Sequence, residues 1–471
     1  MAIATVDPAT GKTLETFDPL DAAGVEARLA RAADTYTRYR LTSFAERAAL
    51  LRAAADVLWS DREATARIMT GEMGKPLAQA LAEVGKCVKS MRWYADRASS
   101  LLADELPDPE DVADSGAVAA HVSYRPLGPV LAVMPWNFPL WQVIRFAAPA
   151  LMAGNVALLK HASNVPRTAL LLEDVFTRAG YPAGCFQTLL IASRAVEAVI
   201  RDPRVAAVTL TGSEAAGRAV AAVAGDEVKK TVLELGGSDP FLVLPSADVR
   251  RAAEVAVTAR VQNNGQSCIA AKRFIVHRDV HDEFAAEFVA RMSALRVGDP
   301  MLADTDVGPL ATEQGRADLE ELVDDALRRG ATARCGGRRP ADLPSGWFYE
   351  PTVLTGISSE MRVHHEECFG PVAALYRVDS LEQAVALAND SPFGLSSSAW
   401  TEDPAEQDIL ARDLVAGGVF FNGMTASHAA LPFGGVKRSG YGRELSAHGI
   451  REFCNVTTVW YGPTGERSEE Q

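Results

Sequence analysis

The sequence predicts an α/β protein built on parallel sheet, and three observations carry that expectation. Short apolar runs at Pro129–Met134, Asn155–Lys160, Phe186–Leu190 and Ala206–Thr211 alternate with stretches of helical periodicity at Leu140–Met152 and Val165–Ala179. Strands alternating with helices imply crossover connections and hence a parallel sheet. The alternation resumes after Gly237 and runs to about Val419, so a second α/β unit follows the first. Finally, 471 residues with 48% hydrophobic content suffice for the cores of two or three domains.

Taken in order, residues 1–110 are Ala-rich and helical in pattern. Asp21–Arg40 and Ser43–Asp61 repeat apolar residues at helical spacing, and Ala78–Leu102 does so after the break at Gly74-Lys75-Pro76. Asp104–Gly116 is acidic, bears prolines and reads as a loop, and Ala117–Tyr124 reads as a strand. A parallel sheet holds ligands at the carboxyl ends of its strands, where Lys160 and Thr211-Gly212-Ser213 fall. No GxGxxG fingerprint occurs anywhere. The stretch Gly212-Ser213-Glu214-Ala215-Ala216-Gly217 opens a helix instead. On the residues alone that opening is an ordinary serine N-cap or an anion site, since free N–H groups at a helix start suit either. Ala247–Gln262 reads as a helix ahead of a cysteine loop, and Phe274-Ile275-Val276 as a strand after it. Pro432–Ser446 is glycine-rich and loop-like, Glu452–Trp460 is a strand candidate, and the charged tail 461–471 is expected to be mobile.

Composition excludes several classes. The net charge is −14 and no cluster of Lys and Arg offers a footprint for nucleic acid. Acidity of this degree speaks for solubility rather than for a partner. Six cysteines lie scattered, and no signal-peptide pattern opens the chain, so reduced thiols in a cytoplasm are expected. No apolar run approaches the ~20 residues a membrane helix needs. No metal site is expected: the adjacent His364 and His365 point different ways on any regular element, and the cysteines lack paired spacing.

Three stretches carry chemistry. Gln262-Asn263-Asn264-Gly265-Gln266-Ser267-Cys268 sets one cysteine among amides and a glycine. Thr231-Val232-Leu233-Glu234-Leu235-Gly236-Gly237 sets a carboxylate in an apolar run, where partial burial would raise its pKa. Pro135-Trp136-Asn137-Phe138-Pro139 holds an amide between two prolines. A thiol, a carboxylate and a rigid amide are a nucleophile, a base and an oxyanion donor. Singly, each has a plainer reading as a buried cysteine, a turn or a packed loop.

Together and in this order, these stretches resemble the aldehyde dehydrogenase superfamily, over about Ile3 to Trp460. Glu367-Cys368-Phe369-Gly370-Pro371 and Pro432-Phe433-Gly434-Gly435-Val436-Lys437-Arg438-Ser439-Gly440 agree with it. Leu233–Phe241, Lys160–Pro166 and Asn422–Thr425 carry a finer resemblance to actinobacterial, NADP-using succinate-semialdehyde dehydrogenases.

The resemblance implies two Rossmann-like α/β domains with a small β oligomerisation extension. Residues 1–116 and 127–236 would bind cofactor, 237–431 would carry the nucleophile, and strands in 117–126 and 452–460 would join subunits into a homodimer or homotetramer. It makes Cys268 the nucleophile that forms a thiohemiacetal and then a thioester. Asn137 and the Cys268 backbone N–H become the oxyanion donors, and Glu234 the base that activates water. Relatives that pass the acyl group to coenzyme A generally lack this glutamate, so its presence implies hydrolysis.

Cofactor contacts are implied for Trp136, Lys160, Ser163, Thr211, Gly212, Ser213, Gly217, Leu235, Glu367 and Phe369. Many NAD-preferring relatives carry a glutamate where Ser163 stands; a neutral hydroxyl there, beside Lys160, favours NADP with NAD possible. For the substrate, Arg145 stands where related enzymes bind a carboxylate, although the residue alone reads equally as a surface or interface arginine. Gln262 replaces a second arginine of some relatives, and His428 stands near where they offer a serine. The alternative to succinate semialdehyde is a broader range of aliphatic or aromatic aldehydes with either cofactor.

Overall fold

The computed structural model describes residues 3–463 and contains two large sheets. The first has six strands in the order Gly440–Tyr441, Lys230–Glu234, Ala207–Thr211, Pro129–Met134, Val156–His161 and Phe186–Thr188. All are parallel except Gly440–Tyr441, which runs antiparallel to Lys230–Glu234. Buried on both faces, these strands are continuous apolar runs rather than alternating ones. The second sheet has seven strands: Thr332–Cys335, Thr352–Thr355, Val372–Val378, Ala271–His277, Asp239–Val243, Ser397–Trp400 and Val419–Phe421. Only Thr332–Cys335 at its edge is antiparallel. The parallel α/β class expected from the alternation is the class observed.

The helix Trp141–Ala153 lies at the centre of the first core, with all 13 residues buried. A helix apolar on every side belongs inside a protein, and Gly154 ends this one in the left-handed conformation at φ +99°. Against it pack Phe44–Ser60, opened by a capping box between Ser43 and Glu46, and the long helix Leu77–Leu101. The helices foreseen at Asp21–Arg40 and Ser43–Asp61 run Ala22–Tyr39 and Phe44–Ser60, because Asp21 and Ser43 are the caps.

Three expectations need correction. Residues 3–17 form a hairpin, Ile3–Asp7 with Lys12–Phe17, inside the region read as helical. Its second strand is exposed, so no buried alternation marked it. Within the loop expected at Asp104–Gly116 lies a short exposed helix, Pro109–Asp114, capped by Asp108. Tyr461, assigned to a mobile tail, is the last residue of the strand Cys454–Tyr461; of that tail, 464–471 lie outside the described residues.

Cys454–Tyr461 pairs antiparallel with Ala119–Pro126 along its whole length, as an arm separate from both large sheets. Val456, Trp460 and Tyr461 are exposed on it. Among the described residues, no helix is long and apolar enough to cross a membrane.

Candidate active site

The carboxyl edge of the first sheet delivers two of the motif residues. Thr211 and Glu234 end neighbouring strands in register with one another. Lys160 is the penultimate residue of Val156–His161. Glu234 is buried, and neither carboxylate oxygen has a hydrogen-bond partner in the protein. Burial raises its pKa, opposed by the Arg145 guanidinium and reinforced by the Glu444 carboxylate. Gly434 leaves room for it, since a β-carbon there would stand 2.8 Å from Glu234 Oε1.

The cysteine loop is held from several sides. Asn263 and Asn264 are both left-handed, at φ 59° and 58°, a conformation asparagine tolerates better than most residues. The Asn263 amide donates to the carbonyls of Asn137 at 2.7 Å and Gln266 at 2.9 Å. The Asn264 amide donates to the carbonyls of Gly74 at 2.8 Å and Pro309 at 2.9 Å. Asn137, whose side-chain nitrogen donates to the Gln266 carbonyl at 3.2 Å, is thereby brought into the loop two residues ahead of Cys268. Lys272 Nζ donates to the Ser267 and Cys268 carbonyls at 2.7 Å each and lies 3.1 Å from a Glu367 oxygen. Sequence reasoning passed over Lys272; a lysine four residues after the nucleophile, just ahead of the apolar run Phe274-Ile275-Val276, was the available signal. The Cys268 thiol is pushed up to about 12 by burial, despite Arg145 and Lys272 nearby.

Cys268 lines a cavity of about 630 Å³ together with Phe138, Trp141, Arg145, Gln262, Ser427 and Phe433. The Gln262 expectation therefore meets a residue at the cavity wall. Arg145 also lines it, but is not free: it is ion-paired to the buried Glu444 and lies 4.8 Å over the Phe433 ring. The picture of a free arginine is corrected in one respect: Nε holds Glu444, while Nη2 meets Thr211 Oγ1 at 3.4 Å. His428 is corrected as well. It is exposed, its Nδ1 accepts from the Ala430 N–H at 3.2 Å, and the neighbouring Ser427 faces the cavity instead.

The remaining cofactor candidates lie outside the lining of that cavity. Trp136 and Phe369 meet edge-on with ring centroids 5.7 Å apart. Gly236 lets Glu367 approach, since a β-carbon there would lie 2.5 Å from Glu367 Oε2. Ser213 caps the helix Glu214–Asp226, accepting from the Ala216 N–H at 3.3 Å, so its plainer reading is realised. Gly217 gives the space that Leu235 fills; its β-carbon would overlap Leu235 Cδ2 at 2.6 Å. Lys160 is buried with no ion pair among the described residues, and burial lowers its pKa. Ser163 lies half-buried on the turn beyond it, and its carbonyl accepts from the Ala4 N–H at 3.0 Å. Gly212 follows Thr211 and donates its N–H to the Glu234 carbonyl at 3.0 Å.

No group of three metal-ligating side chains occurs among the described residues. The expectation of no metal site had nevertheless overlooked His277 and His281, four residues apart. His277 caps the helix Arg278–Ser293 through the Asp279 N–H.

A model of the aldehyde dehydrogenase family matches residues 1–459 of the chain. Over 460 residues the chain is 62% identical to a succinate-semialdehyde dehydrogenase (NADP(+)) of Mycobacterium tuberculosis, covering 98% of this chain and 100% of that one. The corresponding enzyme of Mycobacterium leprae is 60% identical over 98% of this chain and 100% of its own. Among solved structures, succinic semialdehyde dehydrogenase from Streptococcus pyogenes in complex with NADP+ superposes with a TM-score of 0.94 at 37% identity, covering 98% of this chain and 100% of that chain.

Proposed function

The chain belongs to the aldehyde dehydrogenase family, and from that premise we propose that it oxidises succinate semialdehyde to succinate with NADP+. The observation that supports this reading is the convergence of Cys268, Asn137 and Glu234 beside the cavity of about 630 Å³ that Cys268 lines. The relatives carrying that substrate and cofactor in their names are 60% to 62% identical over nearly the whole chain.

The candidate residues present groups that suit the cofactor. Lys160 supplies a buried, unpaired cation for a phosphate, and Ser163 adds no repelling charge beside it. The Glu214–Asp226 helix start offers backbone N–H groups to the pyrophosphate. Glu367, admitted by the absence of a side chain at Gly236, stands ready for ribose hydroxyls. When bound, NADP+ supplies the hydride acceptor.

Cys268 must lose its proton before it attacks, because burial keeps the thiol protonated near neutral pH. Glu234, whose buried carboxylate is more basic than an exposed one, takes up that proton. Asn137 Nδ2 and the Cys268 N–H stabilise the oxyanion that forms on the aldehyde oxygen. After oxidation the acyl group remains on Cys268 as a thioester, and Glu234, having released the thiol's proton to solvent, draws a proton from the water that hydrolyses it and frees the Cys268 sulfur. Residues 1–116 with 127–236 form the cofactor half of this arrangement and 237–431 the nucleophile half. The arm of Ala119–Pro126 and Cys454–Tyr461, with Val456 and Trp460 exposed, joins subunits.

The test is a panel of aldehydes, with and without a distal carboxylate, against NADP+ and NAD+, following absorbance of the reduced cofactor. Succinate semialdehyde with NADP+ should give the highest kcat/KM; a preference for uncharged aldehydes or for NAD+ would overturn the reading.

A further inference from the structure

The direction of the Cys268 N–H, the backbone donor proposed for the oxyanion, is set by the peptide it belongs to. A trans peptide is planar, so its N–H points opposite to the carbonyl of the preceding residue. Whatever fixes the Ser267 carbonyl therefore aims the Cys268 N–H. That N–H donates to no acceptor among the described residues, which leaves it free for an incoming oxygen.

Two donors meet the Ser267 carbonyl: the Ala270 N–H at 3.1 Å, closing a turn, and Lys272 Nζ at 2.7 Å. The same ammonium donates to the Cys268 carbonyl at 2.7 Å, so it grips the peptides on both sides of the Cys268 α-carbon. Those bonds use two of its three hydrogens, and Glu367 Oε1 lies 3.1 Å away as its counter-charge. Lys272 is 2% exposed. A buried cation on an amide oxygen polarises the peptide and makes its N–H a stronger donor, because hydrogen bonds in sequence reinforce one another at low dielectric. An ion pair with Glu367 alone would not require contact with both carbonyls.

We propose that Lys272 is a positioning residue for the reaction: it orients and polarises the Ser267–Cys268 peptide so that the Cys268 N–H stabilises the oxyanion. The inference deepens the proposed function and rests on the roles assigned there to Cys268 and its N–H. Because the ammonium also pairs with Glu367, the oxyanion donor and the carboxylate offered to the cofactor ribose are held from one point.

The test compares two reactions of the same thiolate. Attack on p-nitrophenyl acetate passes through a tetrahedral oxyanion, which collapses to the acetylated sulfur and releases p-nitrophenolate. Attack on iodoacetamide displaces iodide from a saturated carbon and forms no oxyanion. Both rate constants are measured on the full-length enzyme without cofactor, after subtraction of the Cys268→Ala background, in wild type, Lys272→Met and Lys272→Arg. Removing an oxyanion donor outright costs about 10²–10³ in rate, so weakening and misaligning one should lower the ratio of acylation to alkylation about tenfold. Lys272→Arg, which keeps a cation with N–H donors, should recover the larger part. An unchanged ratio in Lys272→Met, even with both rates lower, overturns the inference, because a lysine that merely supports the loop or the thiolate slows both reactions alike. With NADP+, the burst of reduced cofactor should slow equally for succinate semialdehyde and butanal, since the oxyanion is common to both. An enzyme that oxidises aldehydes but ignores the ester is read with that burst in place of acylation. If wild type is neither acylated by the ester nor able to oxidise an aldehyde, the assignment of Cys268 fails first, and the two failures are thereby told apart. Should Lys272→Met not fold, Lys272→Gln reads the same ratio, and an unchanged value overturns the inference equally.

Discussion

Burial raises the pKa of both Glu234 and Cys268, and their chemistry depends on ionised Glu234 taking the proton of the thiol. Cys268→Ala should abolish aldehyde-dependent reduction of NADP+ while NADP+ binding, read by fluorescence titration, survives. Glu234→Gln should still acylate slowly but stall at hydrolysis, giving reduced cofactor near one per site followed by slow turnover in stopped-flow absorbance. Because the active form of Glu234 is ionised and burial raises its pKa, the hydrolysis rate of wild type should fall as pH falls, with a midpoint above the ~4.3 of an exposed glutamate. Ser163→Glu should lower the NADP+/NAD+ ratio of kcat/KM: a carboxylate ~4 Å from a phosphate charge repels by roughly 4 kcal/mol at an effective dielectric of 20. Arg145→Met leaves Glu444 buried without its cation, so unfolding in urea should show a loss of about 3–5 kcal/mol. Its kcat/KM should drop for butanal and succinate semialdehyde alike. A selective rise in KM for the semialdehyde with stability intact would return Arg145 to substrate binding.

At the scale of elements, the Asn137 turn is positioned by a helix distant in sequence. Trp141–Ala153 has no side-chain cap from its own N-cap residue. Glu83, on Leu77–Leu101, instead accepts from the Leu140 and Trp141 N–H groups at 3.0 and 2.8 Å, placing an anion at the positive helix start. Lys75, its ion-pair partner, lies 4.3 Å over the Phe138 ring, next to Asn137. Glu83→Gln should therefore leave Lys75 buried without its counter-charge and loosen the turn. The expected result is a lower melting temperature together with a fall in kcat for every aldehyde, whatever its charge. An unchanged melting temperature would show that the helix start does not depend on this carboxylate.

Across the whole molecule, the connection between the two sheets meets the cysteine loop at Gly237, where a β-carbon would lie 2.6 Å from the Cys268 carbonyl. Asp239 begins the second sheet there, buried, and burial pushes its pKa up to about 7 against the pull of Lys272. A folded pKa above the unfolded one means that its contribution to stability is fully present below the unfolded value of about 3.9. That contribution is lost as pH rises through about 7. Asp239→Asn should flatten the fall in stability over that window in urea titrations; an unaltered slope would exclude this group as its source. The arm gives a prediction of assembly: Val456→Glu with Trp460→Glu should yield smaller species in sedimentation than wild type, since both side chains are exposed on the isolated chain.

The alternation of strands and helices and the three chemical stretches were legible in the sequence, because each depends on residues close together in the chain. The hairpin at 3–17 was not, since its second strand has no buried face to leave a pattern. The family was legible for the same local reason: Cys268, Glu234 and Asn137 each sit in a stretch whose neighbours shape one turn or strand end. Which cation is free and which is already paired depends on residues hundreds of positions apart. Arg145 meets Glu444, and Lys86 meets Ser427, only after the sheets have packed. Charges interact through space and are cancelled by whatever carboxylate the fold brings near. The tertiary structure alone therefore decided that the motif arginine is paired with a carboxylate and that an unmarked lysine lines the same cavity.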